Sequence, residues 1–282
     1  MTLRALELVD SWPVPTAGAA VVAADGTVLG RRGATDHPFR LASLTKPLAA
    51  WAVLIATEEG TVGLDEPVGQ PGCTLRHLLA HAGGYPFEGT EPVASPGRRR
   101  IYSNIGFELA AAAVEREAGL SFADYLHDGV FASLAMAGSE LRGSPAHGAV
   151  ATVDDVAAFL GEIQHPTLLH SATASAAFTA QYPELAGIVP GVGRFDPCPW
   201  GLGFELRGDK SPHWTGRTNA PATAGHFGGA GTMMWADPVA GCGLVALTDR
   251  RFDDWSIEAL KRWRELSDAV VAEVTGVAGV AG

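Results

Sequence analysis

The sequence predicts an α+β fold, in which an antiparallel sheet is built from both chain ends, flanked by helices, and a mostly helical region is inserted between. Three observations predict it. "AGAAVVAADGTVLGRRG" (17–33) places two apolar runs around Asp25-Gly26, a strong hairpin signal. From about residue 200, "WGLGFELRG", "AGHFGGAGTMMWADP" and "GCGLVALTDR" read as strands, and "DPVAG" between the last two reads as the turn of an antiparallel hairpin. Between those ends the apolar spacing is helical. The expected division is one discontinuous sheet region, 1–42 with 195–282, and a mainly helical region, 43–194.

After the first hairpin, the apolar stretch from Ser43 to Glu59 predicts a buried helix closed by Gly60. Pro47 lacks an N–H and is tolerated only near a helix start, so the first turn lies close to Ser43. "TLRHLLAHAGG" predicts a short helix ending in glycine, and "SNIGFELAAAAVEREAGL" (103–120) an Ala-rich helix with a glycine stop. "SFADYLHDGVF" follows with a serine cap. "TVDDVAAFLGEIQ" opens with Thr152 and Asp155 at capping-box spacing. The stretch 165–200 is irregular and suits a lid or packing. "DDWSIEALKRWRELSDAVVAEVTG" is an amphipathic closing helix, and the final "VAGVAG" is expected to fray.

Composition narrows the function classes. The chain has 282 residues, 47% apolar and 18% charged, which suits one large domain or two packed ones. A net charge of -11 argues against non-specific nucleic-acid binding. The basic run Arg98-Arg99-Arg100, flanked by Pro and Gly, reads as a solvated loop. The first residues lack the apolar core of a signal peptide, and no apolar run reaches the length of a membrane span. Cys73, Cys198 and Cys242 are widely spaced and read as free thiols. These features lead to the expectation of a cytoplasmic protein with no membrane partner, no cofactor and no metal. His77 and His81 stand at i, i+4, but no third ligand accompanies them, so structural hydrogen bonding is the expectation. G-x-S-x-G, HExxH, the Walker loop and a complete GxGxxG are missing.

Three features carry chemistry. In Ser43-Leu44-Thr45-Lys46, two side chains three apart share a helix face. A serine hydroxyl becomes a nucleophile when a base takes its proton, and a lysine in a dry pocket loses its own proton readily. The same four residues also suit a serine cap with a snorkelling lysine. Tyr102-Ser103-Asn104 offers a general acid/base and an amide with both donor and acceptor, or else a helix cap with an aromatic staple. "GHFGGAGT" (225–232) is a glycine-rich strand; it suits close approach of a ligand to an N–H, or a bulge or tight packing.

The order Ser-x-x-Lys, Tyr-x-Asn, then a His-x-Gly strand resembles the serine β-lactamase-related, penicillin-recognising hydrolases, which include class C β-lactamases, D,D-peptidases and family VIII-type esterases. "EEGTVGLDEPV" (58–68), "TLRHLLAHAGG" (74–84), "PGRRRIYSN" (96–104), "FASLAM" (131–136), "GAVATVDDVAAFL" (148–160) and "WADPVAGCGLVALTDR" fall in the family's order, so the likeness runs from about residue 17 to 270. It implies the β-lactamase/transpeptidase-like version of the α+β fold. It also implies that Ser43 is the acylated nucleophile and that Lys46 and Tyr102 share the base role. Asn104 would orient the substrate and Lys46, and the N–H groups of Ser43 and Gly229 would form the oxyanion hole.

The third motif departs from the family. His226-Phe227-Gly228 stands where β-lactamases carry Lys, then Thr or Ser, then Gly. A neutral imidazole and an apolar ring make a poor carboxylate clamp. "FASLAM" has Ser-Leu-Ala in place of the family's Pro-Leu-Gly. The expectation is therefore a serine hydrolase of small esters, acting on a small-molecule ester or amide through an acyl-enzyme. A D-amino-acid amidase or peptidase, a weak β-lactamase and an acyltransferase of the same fold are the alternatives. A non-enzymatic binding protein is a further one, disfavoured because Ser43, Lys46, Tyr102 and Asn104 are all present. Sequence leaves the oligomeric state open.

Overall fold

In a computed structural model describing residues 3–276, the chain opens with a 3-10 segment, Arg4–Ser11. The expected fraying of 277–282 lies outside the described residues. Strands β1 (Ala17–Ala23) and β2 (Val28–Gly33) form the first hairpin. Gly26 sits in its turn at φ +84°, a conformation that favours glycine. Next come β3 (Phe39–Arg40), a 3-10 turn at Ala42–Leu44, and helix α1 (Thr45–Glu58). Pro47 falls in the first turn of α1, as its missing N–H requires. Thr45 through Ala56 are all buried, so α1 runs through the core.

The helical part continues with α2 (Leu75–Leu79), α3 (Ile105–Ala118) and α4 (Phe122–Leu126), which passes into a π-helical turn at His127–Ala132. Gly119 ends α3 in the left-handed conformation, the expected glycine stop. Ser121 caps α4 by accepting from the Asp124 N–H. Short strands β4 (Glu140–Leu141) and β5 (Ala149–Ala151) join β3 in a small sheet. Helix α5 (Val153–Gln164) opens with both bonds of the Thr152–Asp155 capping box. The irregular stretch holds helix α6 (Ser171–Ala177) and a hairpin, β6 (Gly187–Val189) with β7 (Gly193–Phe195).

The main sheet is completed by β8 (Glu205–Leu206), β9 (Ala224–Gly228), β10 (Thr232–Asp237) and β11 (Cys242–Thr248), and α7 (Ser256–Thr275) closes the described chain. Its strand order is β2-β1-β11-β10-β9-β8, antiparallel throughout. The two chain ends meet where Ala17 pairs with Thr248 and Ala23 with Cys242. Strand alternation splits the core. Ala20 and Val22 face α1 and α5, whereas Ala19 and Val21 face α7 and the 3-10 segment of Arg4–Ser11.

Three expectations change. "AGHFGGAGTMMWADP" is two strands, because the chain turns at Gly229–Gly231 and β9 pairs back on β10. "WGLGFELRG" supplies only two strand residues. Gly203 turns the chain at φ +86° where any Cβ would strike that of Ala50, so the segment passes over α1 before joining the sheet. Arg100 is not solvated. It is 3% exposed and donates to the carbonyls of Ala80, Gln181, Tyr182 and Cys198, tying the approach to Tyr102 onto the 180–200 segment.

Candidate active site

The 3-10 turn and the first turn of α1 carry Ser43 and Lys46 to the end of β9. Ala42, just before Ser43, lies at φ +48°, a costly conformation for a residue with a Cβ and one that clusters at functional sites. The turn is held from two sides. Thr232 Oγ1 donates to the Leu41 carbonyl at 2.8 Å, and the Ala149 N–H donates to Thr45 Oγ1 at 3.0 Å. Gly228 permits the contact with β9, since a Cβ there would collide with Leu41 O and stand 2.6 Å from Thr232 Oγ1. Gly229, one residue on, faces open space. Among the described residues no backbone oxygen accepts from its N–H.

Lys46 is completely buried. Its Nζ lies 2.7 Å from Asn104 Oδ1, 3.0 Å from Ala146 O and 3.2 Å from Ser43 Oγ. Burial holds its ammonium well below the ordinary lysine range, against an opposing pull from Glu108. A neutral amine has two hydrogens and one lone pair. Asn104 Oδ1 and Ala146 O can only accept, so they use the two hydrogens. Protonated, Lys46 has a hydrogen for each of its three oxygen neighbours; deprotonated, it turns its lone pair to the Ser43 hydroxyl.

Asn104 makes no helix-cap bond, so its amide is free for Lys46. Capping falls to Ser103, whose Oγ accepts from the Gly106 N–H at 3.0 Å and donates to Pro86 O at 2.7 Å. The Tyr102 ring stands over Lys46, with Nζ 4.7 Å from its centroid. Burial pushes the Tyr102 phenol above its ordinary range, against the pull of a hydrogen bond with Ser43. His226 Nδ1 donates to Phe227 O at 2.7 Å, which leaves Nε2 as an acceptor 3.4 Å from the Tyr102 hydroxyl. Burial, with Lys46 nearby, lowers the His226 imidazole to about 3, so the ring is neutral.

Phe227 packs against Trp214, Phe252 and Trp263, with ring centroids 5.7, 5.3 and 5.7 Å away. It also borders a pocket of about 230 Å³ that Ser43, Tyr102, Trp200, His226 and Gly229 share. Every residue expected from sequence to act in catalysis or substrate binding thus gathers at one place. The two histidines of the i, i+4 pair do not stay together. His77 closes the α2 capping box with Thr74 and stacks on Tyr182, whereas His81 lies beyond α2 at φ +56° and accepts from the Ser103 N–H at 3.1 Å.

Glu205 is a wall of the same pocket that sequence reading missed. It is 2% exposed, and its carboxylate accepts from Lys210 Nζ at 2.8 Å, from His213 Nε2 at 3.0 Å and from Trp214 Nε1 at 2.7 Å. Burial alone would raise its carboxyl, but Lys210 and His213 outweigh that and hold it far below the usual carboxylate range. The signal was Lys210 and His213 within eight positions of a glutamate in an apolar stretch.

The Beta-lactamase family model matches residues 13–267. A crystal structure described as a β-lactamase from Mycobacterium bovis is 47% identical, with a TM-score of 0.93 over 96% of this chain and 99% of that one. EstCE1, described as a hydrolase with promiscuous acyltransferase activity, superposes with a TM-score of 0.77 at 18% identity, over 94% of this chain and 96% of its own; that likeness is one of fold. Penicillin-binding protein 4* of Bacillus subtilis is 30% identical over 34% of this chain, and the match spans only 29% of that protein's length.

Proposed function

The chain belongs to the Beta-lactamase family, and from that premise we propose that it is a serine hydrolase, an esterase of small esters working through an acyl-enzyme on Ser43. One observation carries the reading: the fully buried Lys46 Nζ lies 3.2 Å from Ser43 Oγ, with Asn104 Oδ1 at 2.7 Å and Ala146 O at 3.0 Å. Lys46 takes the Ser43 proton as Oγ attacks the ester carbonyl. The N–H groups of Ser43 and Gly229 receive the oxyanion. Tyr102, kept as a phenol by burial, gives its proton to the departing alcohol oxygen as the C–O bond breaks. The proton held on Lys46 then restores Tyr102, and the face of that ring favours the cationic lysine meanwhile. Water repeats the sequence in reverse roles to free the acid. Glu108 is the negative charge that favours the lysine while it is cationic.

Substrate choice follows from the third motif. His226 is neutral and its Nδ1 is committed to the Phe227 carbonyl, and the Phe227 ring is apolar. Neither residue pairs with a carboxylate beside the scissile bond, which supports esters over penicillins or terminal D-alanine peptides. β-Lactam hydrolysis is the second reading, favoured by the description of the Mycobacterium bovis relative. Amide hydrolysis and acyl transfer to an alcohol use the same steps with another leaving group or acceptor. The test is a panel of nitrophenyl esters, nitrocefin and D-alanyl amides, with intact-mass readout on wild type and Ser43→Ala. Fast turnover of short esters with a transient acyl adduct on wild type alone is expected. Preference for nitrocefin over short esters overturns the esterase assignment.

A further inference from the structure

A second cleft, of about 640 Å³, opens beside the Ser43 pocket and shares Phe87, Tyr102 and Pro190 with it. Its walls are the 99–102 segment and the β6–β7 hairpin, joined where the Arg100 N–H donates to Ala186 O at 2.9 Å. The rim is unusually apolar. Phe87, Val93 and Ile188 are 48%, 54% and 58% exposed, and they are three of the seven exposed large hydrophobics among the described residues. Exposed apolar side chains gathered at one concavity mark a binding site.

Two cations stand in that apolar setting. Arg194 lies opposite Ile188 in the hairpin, so both project to one side of it. Arg99 lines the facing wall. Among the described residues neither guanidinium donates a hydrogen bond or meets a carboxylate, which is equally true of Arg40, Arg98, Arg217 and Arg251; what sets Arg99 and Arg194 apart is that they line one cleft whose lining includes no acid. In a chain of net charge -11, two uncommitted arginines at the mouth of one apolar cleft form a local anion-attracting spot.

The leaving group's side of the site is set by Tyr102. That residue must face the departing oxygen, and the cleft runs outward from Tyr102 without touching Ser43. We propose that the substrate is an ester of a small acyl group with an apolar alcohol that ends in an anionic group, a carboxylate or a phosphate, and that Arg99 and Arg194 bind that end in this cleft. The proposal rests on the esterase reading. It also moves the substrate's charge away from the scissile bond, where His226 and Phe227 offer it nothing. In the reaction the Ser43 Oγ–acyl bond forms, the ester C–O bond breaks, and the Tyr102 proton goes to the alcohol oxygen.

The test compares three aryl acetates with the same phenol core, whose para chain ends in a carboxylate, a phosphate or a neutral carboxamide. Wild type is expected to prefer the anions over the amide in kcat/KM by about 10-fold, the factor two exposed charge contacts supply together. The preference should shrink in 1 M salt. In Arg99→Ala/Arg194→Ala the anion-to-amide ratio should fall to about 1, and comparing the two anions identifies which head the arginines favour. An anion-to-amide ratio near 1 in wild type, or a preference that survives in the double variant, overturns the proposal. Failure of the esterase reading shows separately, as no turnover of nitrophenyl acetate. In that event protection of Ser43 from a fluorophosphonate by phenylbutanoate, but not by phenylbutanamide, still supports the anion cleft, and equal protection overturns it.

Discussion

Replacing Lys46 by methionine keeps most of the buried volume and removes the amine. In the wild type, burial holds the folded-state pKa of Lys46 well below that of the unfolded chain, which is about 10.4. Between the two values the unfolded state binds one proton more than the folded state. Stability therefore rises with pH through that window, by about 1.4 kcal/mol per unit for one full proton. Below the folded pKa the lysine is protonated in both states and the slope vanishes. Methionine has no proton to exchange, so the difference between wild type and Lys46→Met isolates this slope from every other titration. The variant also leaves Asn104 Oδ1 and Ala146 O without their donor, at about 1–3 kcal/mol for each buried acceptor. That cost is a constant offset and is separable from a slope. Urea denaturation of both proteins between pH 7 and 10 is the assay. The expected result is a gap that widens in favour of the wild type as pH rises. Parallel curves would mean that Lys46 titrates alike in the folded and unfolded chain, and would refute the argument that burial frees its lone pair for Ser43.

Other outcomes follow from the same geometry. Tyr102→Phe is expected to lower kcat by about 10²–10⁴-fold, more for alkyl than for nitrophenyl esters, because a poor leaving group needs the proton more; equal losses on both would remove Tyr102 as the acid. Arg100→Met should cost about 3 kcal/mol or more in chemical denaturation, since four carbonyls lose one buried donor, while Arg98→Met, on the exposed side of the same run, should stay within about 0.5 kcal/mol. Gly228→Ala should destabilise by at least about 1–3 kcal/mol, because its Cβ would press on the turn that carries Ser43, whereas Gly229→Ala meets no atom within 4 Å and should leave the melting temperature nearly unchanged.

What could be read from sequence was local. Ser43 with Lys46 and Tyr102 with Asn104 are each pairs within one turn, and Thr152 with Asp155 is a cap whose two bonds join residues three apart. The hairpins around Asp25-Gly26 and "DPVAG" are local in the same way. The base role proposed for Lys46 was not legible, because it is argued from burial and from Ala146, a hundred positions from Lys46. Arg100 looked like part of a solvated run because its acceptors lie at 80, 181, 182 and 198. The break between β9 and β10 was hidden by glycines. A Gly-rich run suits a strand passing close to another backbone and equally a turn, and here Gly228 does the first while Gly229–Gly231 do the second.

The central claim is that Ser43 is a nucleophile activated by an uncharged Lys46. The rate at which a fluorophosphonate labels Ser43, followed by intact mass and peptide mapping from pH 5 to 10, tests it most directly. The wild-type rate should climb along one ionisation curve as Lys46 loses its proton and then level off, since His226 is already neutral and Tyr102 is still a phenol over that range. Lys46→Ala should be at least about 10²-fold slower and should lose that curve. An adduct mapped to another residue, or a Lys46→Ala protein that labels Ser43 at the wild-type rate with the wild-type pH dependence, would contradict the account.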